Sequence, residues 1–485
     1  MYTWLDLASA SDVAQLGQQI DQEYAPAYVA AKLKDGLSDA VKGILIERDY
    51  IDKDYRSTYY NFYSKKGMRY RSDCVRLHFF DETVSFEEKT LKLTARDDRL
   101  TDHYYGFMVL RPIGQLTIGR SVVTPDVRRG ASRYIISTNH KVHLLGHRLM
   151  IRGFPSMDQH CDISRCAHSA CWSILRHYSE SYKQHREFLT HDITMMSQQF
   201  DPGGLVPSRG LALPQAERVF QEAGTYPVIV ARERDDPDDI LFYRQLAAYV
   251  DSGFPLFAAM HEKGHAMAVV GYEWRTPLNS GDPGMRYSWD EMSSLAVVDD
   301  NHLPYLSIPA DGGIYSAKDI DSFIVALPEK VFYPADAFDS LVPKLFKLGQ
   351  VVQLPPEDKT IIRYFITTGS AFRSFVRSHE SEFDPQLLAA VMKLPFAQFL
   401  WVVEFATEAQ WAVNQVSARA VIDATASHTE QYPYWILHGL KEALIFWRDS
   451  VSLDLQKGMG VLSMADMGHT GFSRMDTNLR PTVTK

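Results

Sequence analysis

The sequence predicts an α+β protein of several units, the central one carrying a cysteine on its first helix and a histidine and an acid on a following antiparallel sheet. Three observations lead there. The chain has 485 residues, more than one ordinary hydrophobic core organises. Small or apolar residues recur at 167, 170, 171, 174, 175 and 178, the spacing of one helix face. Two apolar runs, 254–260 and 265–272, flank the polar turn His261-Glu262-Lys263-Gly264, the pattern of a β-hairpin.

In chain order, residues 1–66 read as helical, with Ser11 offering an N-cap and apolar positions at helical spacing through Ala31, Leu33, Leu37 and Val41. Residues 67–153 read as strand-rich, with strands at 74–80, 105–110, 134–136 and 143–145. Residues 154–335 give helix, loop, helix, strand, helix, hairpin, strand. Residues 336–464 form a C-terminal α/β module, with strands at 361–367, 399–405 and 419–422 and helices near 370–378 and 437–448. Residues 465–485 read as a loose polar tail, and Gly203-Gly204 as a surface turn.

Composition narrows the function. Lys and Arg number 51 against 60 Asp and Glu, a net charge of −9, so no general basic field exists to hold nucleic acid or an anionic membrane. No apolar stretch approaches the ~20 residues of a spanning helix. The first dozen residues lack the basic and apolar regions of a signal peptide, so a cytoplasmic location with reduced thiols is expected. Gly114 to Gly119 lacks the phosphate-loop pattern, and nothing in the sequence calls for a metal or an organic cofactor.

Of 4 cysteines, Cys161, Cys166 and Cys171 crowd into one short stretch. With Ser164 as N-cap, Cys166 falls in the first helical turn, where free N–H groups and the positive dipole end favour a thiolate over a thiol of ordinary pKa about 8.5. Cys171 lies on the buried stripe, where a thiol is inert, and Cys161 precedes the helix. A zinc site from Cys161, Cys166, His168 and Cys171 is the competing reading. Its spacing is poor, because residues five apart on a helix point about 140° away from each other.

His265 opens the second strand of the hairpin at the turn edge, and the strand 295–298 ends in Asp299-Asp300-Asn301. An acid or amide there would hold the imidazole in one tautomer, with Asp299, Asp300 and Asn301 as alternatives. His261 reads as solvated. A thiol at a helix start, a histidine on a strand and an acid at a strand end together have the makings of nucleophilic catalysis.

These residues resemble a papain-like cysteine peptidase, and more closely the bacterial branch of double-glycine leader peptidases, over residues 154–330. Gln159, Cys166, Ala167, Ala170 and Tyr178 match the nucleophile segment. Gly253, Pro255, His265, Val269, Gly271 and Tyr272 match the histidine block, and Val297-Val298-Asp299 the third. The resemblance implies a papain-like core in which Cys166 is nucleophile, His265 general base and then acid, Asp299 its orienter and Gln159 an oxyanion donor. Ala167 stands where the family usually has glycine, and Gln159 is one residue further from the cysteine than usual. The 34-residue gap from His265 to Asp299 holds an apparent insertion, 273–294, expected to cover the cleft. A rival alignment on Cys171-Trp172 would put the nucleophile a turn inside the helix. The implied activity is hydrolysis of a peptide or isopeptide bond in a protein or peptide substrate. The alternatives are a transglutaminase- or deamidase-type effector and a catalytically inactive binding module. The flanking units offer surfaces for a protein partner, with no role for nucleic acid or membrane.

Overall fold

The computed structural model describes residues 2–97, 99–160, 162–197, 210–233, 236, 238–276, 278, 284–426, 434–447, 458–475 and 480–481. Cys161 and Gly203-Gly204 lie outside them. Three large sheets share one continuous hydrophobic core, and the architecture is mixed α+β. Among the described residues no helix is long and apolar enough to cross a membrane.

The first sheet runs Tyr2–Asp6, Gly43–Tyr50, Cys74–Phe80, Tyr104–Leu110, Ile118–Val123, His147–Ser156 and Thr138–Leu144, antiparallel throughout. Residues 1–66 are therefore not a helical region: helix Pro26–Gly36 is present, but strands 2–6 and 43–50 join them to residues 67–156 in one sheet. Ile44, Leu45 and Ile46 are each 0% exposed, so this central strand is buried on both faces. A strand of that kind has no period-two alternation to distinguish it from helix. Ser9 rather than Ser11 caps the first turn, with Asp12 reaching back to its N–H at 2.8 Å.

The second sheet, also antiparallel, runs Tyr226–Ala231, Ser322–Leu327, Leu256–Met260, His265–Trp274, Met292–Val298 and Leu306–Pro309. Helix Ile240–Asp251 enters it through a Schellman cap. Phe254 N–H bonds to Tyr249 C=O and Gly253 N–H to Val250 C=O, with Gly253 at φ +86°. That is what glycine does in the Gly253-x-Pro255 motif: it ends the helix so that the strand can start at Leu256, directly after Pro255. The short strand Tyr134–Ile135 leaves the first sheet's region and pairs with Gly271 and Tyr272. A Cβ on Gly271 would stand 2.0 Å from Tyr134 O, so only glycine admits this crossing.

Helix Cys166–Ser181 lies between these two sheets. Everything from Ala167 to Tyr178 is buried, not only the predicted stripe, because the first sheet covers the other side. Phe154 stacks on His177 with centroids 5.0 Å apart. Polar residues on that side are matched by the N-terminal half: Asp54 accepts from Trp172 Nε1 at 2.9 Å and Arg176 at 3.0 Å.

The third sheet runs Arg286–Tyr287, Thr360–Thr368, Phe399–Thr407, Ala418–Asp423, Tyr434–His438, Glu442–Trp447 and Gly458–Ser463, antiparallel except for its first pair. The expected helix at 437–448 is a hairpin. Its apolar residues fall by chance at helical spacing, but Gly439 sits in the turn, where a Cβ would meet Gln353 O at 2.9 Å. The described part of the tail is not loose either. Phe472 and Met475 are buried, and strand Phe472–Ser473 pairs with Gln415–Val416.

A buried charge network joins the second and third sheets. Arg363 donates to Asp251 at 2.6 and 3.0 Å, to Glu404 at 2.8 Å and to Met475 O at 2.8 Å. Arg419 shares Glu404, and Tyr272 donates to Asp251 at 2.6 Å. Each charge is met by an opposite one, which is what allows four charged side chains inside a core.

Candidate active site

Three chain ends converge at one edge of the second sheet. Cys166 is the first residue of its helix, with Arg165 at the N-cap position. Ser164 is not the cap: its Oγ accepts from His160 N–H at 2.9 Å inside the preceding loop. The capping contact comes from His168, whose Nδ1 accepts from Arg165 N–H at 3.2 Å. Burial pushes His168 down to about 4, so at neutral pH it is an uncharged acceptor. Small side chains and Ser164's turn thus leave the Cys166 sulfur half-buried at the helix end rather than packed under it.

His265 starts its strand at the hairpin turn. The pairing of Ala268 with Val298, carried one residue further, sets Asp299 opposite Met267 and on the same face as His265. Asp299 Oδ1 lies 2.7 Å from His265 Nε2. That leaves Nδ1 for the Cys166 sulfur, which is close enough to act on the same imidazole. Burial disfavours the imidazolium, yet the hydrogen bonds and charges of Asp299 and Cys166 outweigh it and raise His265 to about 10. The ring therefore carries its proton at neutral pH. Asp299 is itself buried, but its two imidazole partners hold it well below the usual carboxylate range.

Of the three alternatives for the acid, the structure brings Asp299 to His265. Asp300 stands 3.9 Å from Nε2, and neither of its buried oxygens meets an N–H donor. Burial and the charge of Asp299 push Asp300 up to about 7. Asn301 supports Asp299 through its backbone N–H at 3.3 Å.

Two residues escaped the sequence reading. His302 Nδ1 binds the second Asp299 oxygen at 2.5 Å, so one carboxylate serves two imidazoles. Tyr315 stacks on His265, centroids 5.2 Å apart and planes 15° apart, and meets His302 edge-on. His302 follows Asp299 by three and could have been found by reading one residue past Asn301. Tyr315 comes from a loop with no local signal.

Gln159 lies half-buried in the loop between strand His147–Ser156 and the cysteine helix, its carbonyl accepting from Arg111 at 3.2 Å. Cys171 is buried deep in the helix and burial pushes its thiol up, as an inert core residue requires. Neither it nor His168, committed to its cap, faces Cys166's partner, so the described members of the zinc reading do not converge. His265, Asp299 and Asp300 do offer donor atoms within 4.8 Å of one another. The closest pair, however, is 2.7 Å apart, a hydrogen-bond length, whereas two ligands of a tetrahedral zinc stand about 3.3 Å apart.

The described part of 273–294 does not cover this edge. It leaves the far end of a ten-residue strand, about 30 Å from His265 at 3.3 Å per residue, and joins the third sheet through Arg286–Tyr287. Hairpin connectivity forces this: the strand returns to Asp299 only after the excursion. Comparison with protein-family models, curated proteins and solved structures returned no match.

Proposed function

We propose that the chain is a cysteine-dependent hydrolase with a papain-like core that cleaves a peptide or isopeptide bond. The observation that carries this is one imidazole, His265, held by Asp299 at 2.7 Å and raised by that carboxylate together with the neighbouring Cys166 sulfur. The helix between the sheets and the antiparallel strands bearing His265 and Asp299 support the papain-like reading of the core.

In this reading the Cys166 sulfur attacks the carbonyl carbon, and the C=O electron pair moves onto oxygen. The Cys166 backbone N–H and the Gln159 side-chain amide donate to that oxyanion. Collapse breaks the C–N bond, and the amine leaves with the proton that His265 held. Water, deprotonated by His265, then attacks the thioester, and the sulfur departs as the carboxylic product forms. Asp299 fixes the ring and balances its charge throughout. Replacing Gln159 by alanine is expected to lower kcat about 10²–10³-fold with KM little changed, as steady-state kinetics on a peptide amide would record.

The direct test is mass spectrometry after incubation with a peptide-like thiol electrophile at mildly acidic pH. An adduct on Cys166 is expected. An adduct confined to another cysteine, or none, overturns the assignment. Ammonia release from a glutamine-bearing protein without chain cleavage would retain the three residues and replace hydrolysis by deamidation.

A further inference from the structure

Helix Pro26–Gly36, on the first sheet's side, sends Lys32 into the seam beneath the site. Its side chain is 5% exposed and has two partners. One is the Asp158 carboxylate; the other is the carbonyl oxygen of Asp300, at 2.7 Å. Tyr28, one turn earlier, donates to the second Asp158 oxygen at 2.6 Å. Asp158 immediately precedes Gln159, and Asp300 immediately follows Asp299. Arg111 adds donors to the carbonyls of Asp158 and Gln159, each at 3.2 Å. Between the two sheets lies a small cavity, no larger than about one water, lined in part by Lys32, Met157, Asp158, Asp299 and His302. At this point the ammonium bridges the two loops directly.

We infer that Lys32 is a positioning residue of the site, one ammonium tying the strand end that carries Asp299 to the loop that carries Gln159. This rests on the Cys166–His265–Asp299 reading. It makes the N-terminal half a working part of the site and not an appended module. Without the ammonium, Asp158 is left as an unpaired buried charge and must move or draw in water, taking Gln159 with it. Asp300 loses the donor on its carbonyl, and the Asp299 carboxylate loses its fixed distance to His265.

The test uses the full chain and iodoacetamide, following the pH profile of Cys166 alkylation by peptide mapping, with thermal melting alongside. In Lys32→Met the alkaline step that reports His265 is expected to fall by ~1 pH unit or more, because the ring keeps less of its anion. Tyr305→Phe is the comparison. It loosens the same seam by removing the hydroxyl that donates to Val123 O at 2.7 Å and accepts from Phe154 N–H at 2.7 Å, and touches neither Asp158 nor Asp300. It should lower the melting temperature and leave the profile in place. A Lys32→Met chain that melts lower with an unmoved profile overturns the inference. If that chain does not fold, Lys32→Arg, which keeps the charge and redirects the donors, is read in the same way. A wild-type chain whose Cys166 reacts no faster than a free thiol at any pH refutes the site reading itself, and this inference falls with it.

Discussion

Changing Cys166 to alanine is expected to lower cleavage of a peptide probe by about 10⁴–10⁶-fold while leaving the melting temperature close to that of the parent. The two halves of this expectation have separate physical sources. In the proposed mechanism the sulfur forms the bond to the acyl carbon, and no other described thiol reaches His265: Cys74 and Cys171 are both 0% exposed. Stability, by contrast, draws little on a half-buried side chain at a helix start whose capping contact comes from His168. His265→Ala should fall to the same floor, and the double variant no further, because a nucleophile and its base act as one unit. Steady-state kinetics of the three variants, with circular dichroism for folding, measure this. Additive losses, or cleavage by the alanine variant within tenfold of the parent, would exclude the mechanism.

Asp299→Asn is the second large effect, and it acts on the pH axis. The amide keeps the shape of the carboxylate but not its charge, and its NH₂ group replaces one of the two acceptor oxygens. kcat is expected to drop about 10²–10⁴-fold as the base loses its orientation and its counter-charge. The alkaline limb of kcat/KM should move from near pH 10 toward the ordinary histidine range, because Asp299 is a principal cause of the raised imidazole. Stability follows by linkage. A histidine whose folded pKa is raised stabilises fully below its unfolded pKa, about 6.5, and that contribution is lost as pH rises through about 10. The depressed Asp299 contributes above about pH 4, and its share is lost on further acidification. The difference in melting temperature between parent and variant should therefore be largest between about pH 4 and 6.5 and close toward pH 10. A difference that grows with rising pH would contradict the assignment of the ion pair.

The meeting of Cys166, His265 and Asp299 was legible because each of them sits where an element begins or ends. Cys166 opens a helix whose small-residue stripe is plain, His265 opens the strand after a polar turn, and Asp299 closes another. Periodicity locates such ends well. It placed the cap one residue early, at Ser164, since it could not weigh a histidine at 168 as a capping acceptor. Lys32, Tyr315 and the role of His302 were illegible because their meaning is entirely tertiary: Lys32 meets Asp158 across 126 residues and Asp300 across 268. The misread strand 43–50 failed for a different reason. Strands in the middle of a sheet present apolar side chains to both faces, and a run of that kind carries no alternation to betray its period.

The Arg363 network has a kinetic corollary. Its contacts to Asp251 and to Met475 each bridge 112 residues, and the Tyr134–Ile135 ribbon meets Arg480–Pro481 from still further away. Loops of this length give up their entropy before any contact rewards them. Refolding from denaturant should accordingly be slow and pass through species in which sheet edges stand bare and buried charges wait for their counter-ions. Chaperone dependence and concentration-dependent losses on refolding are the expected signs of such late closure.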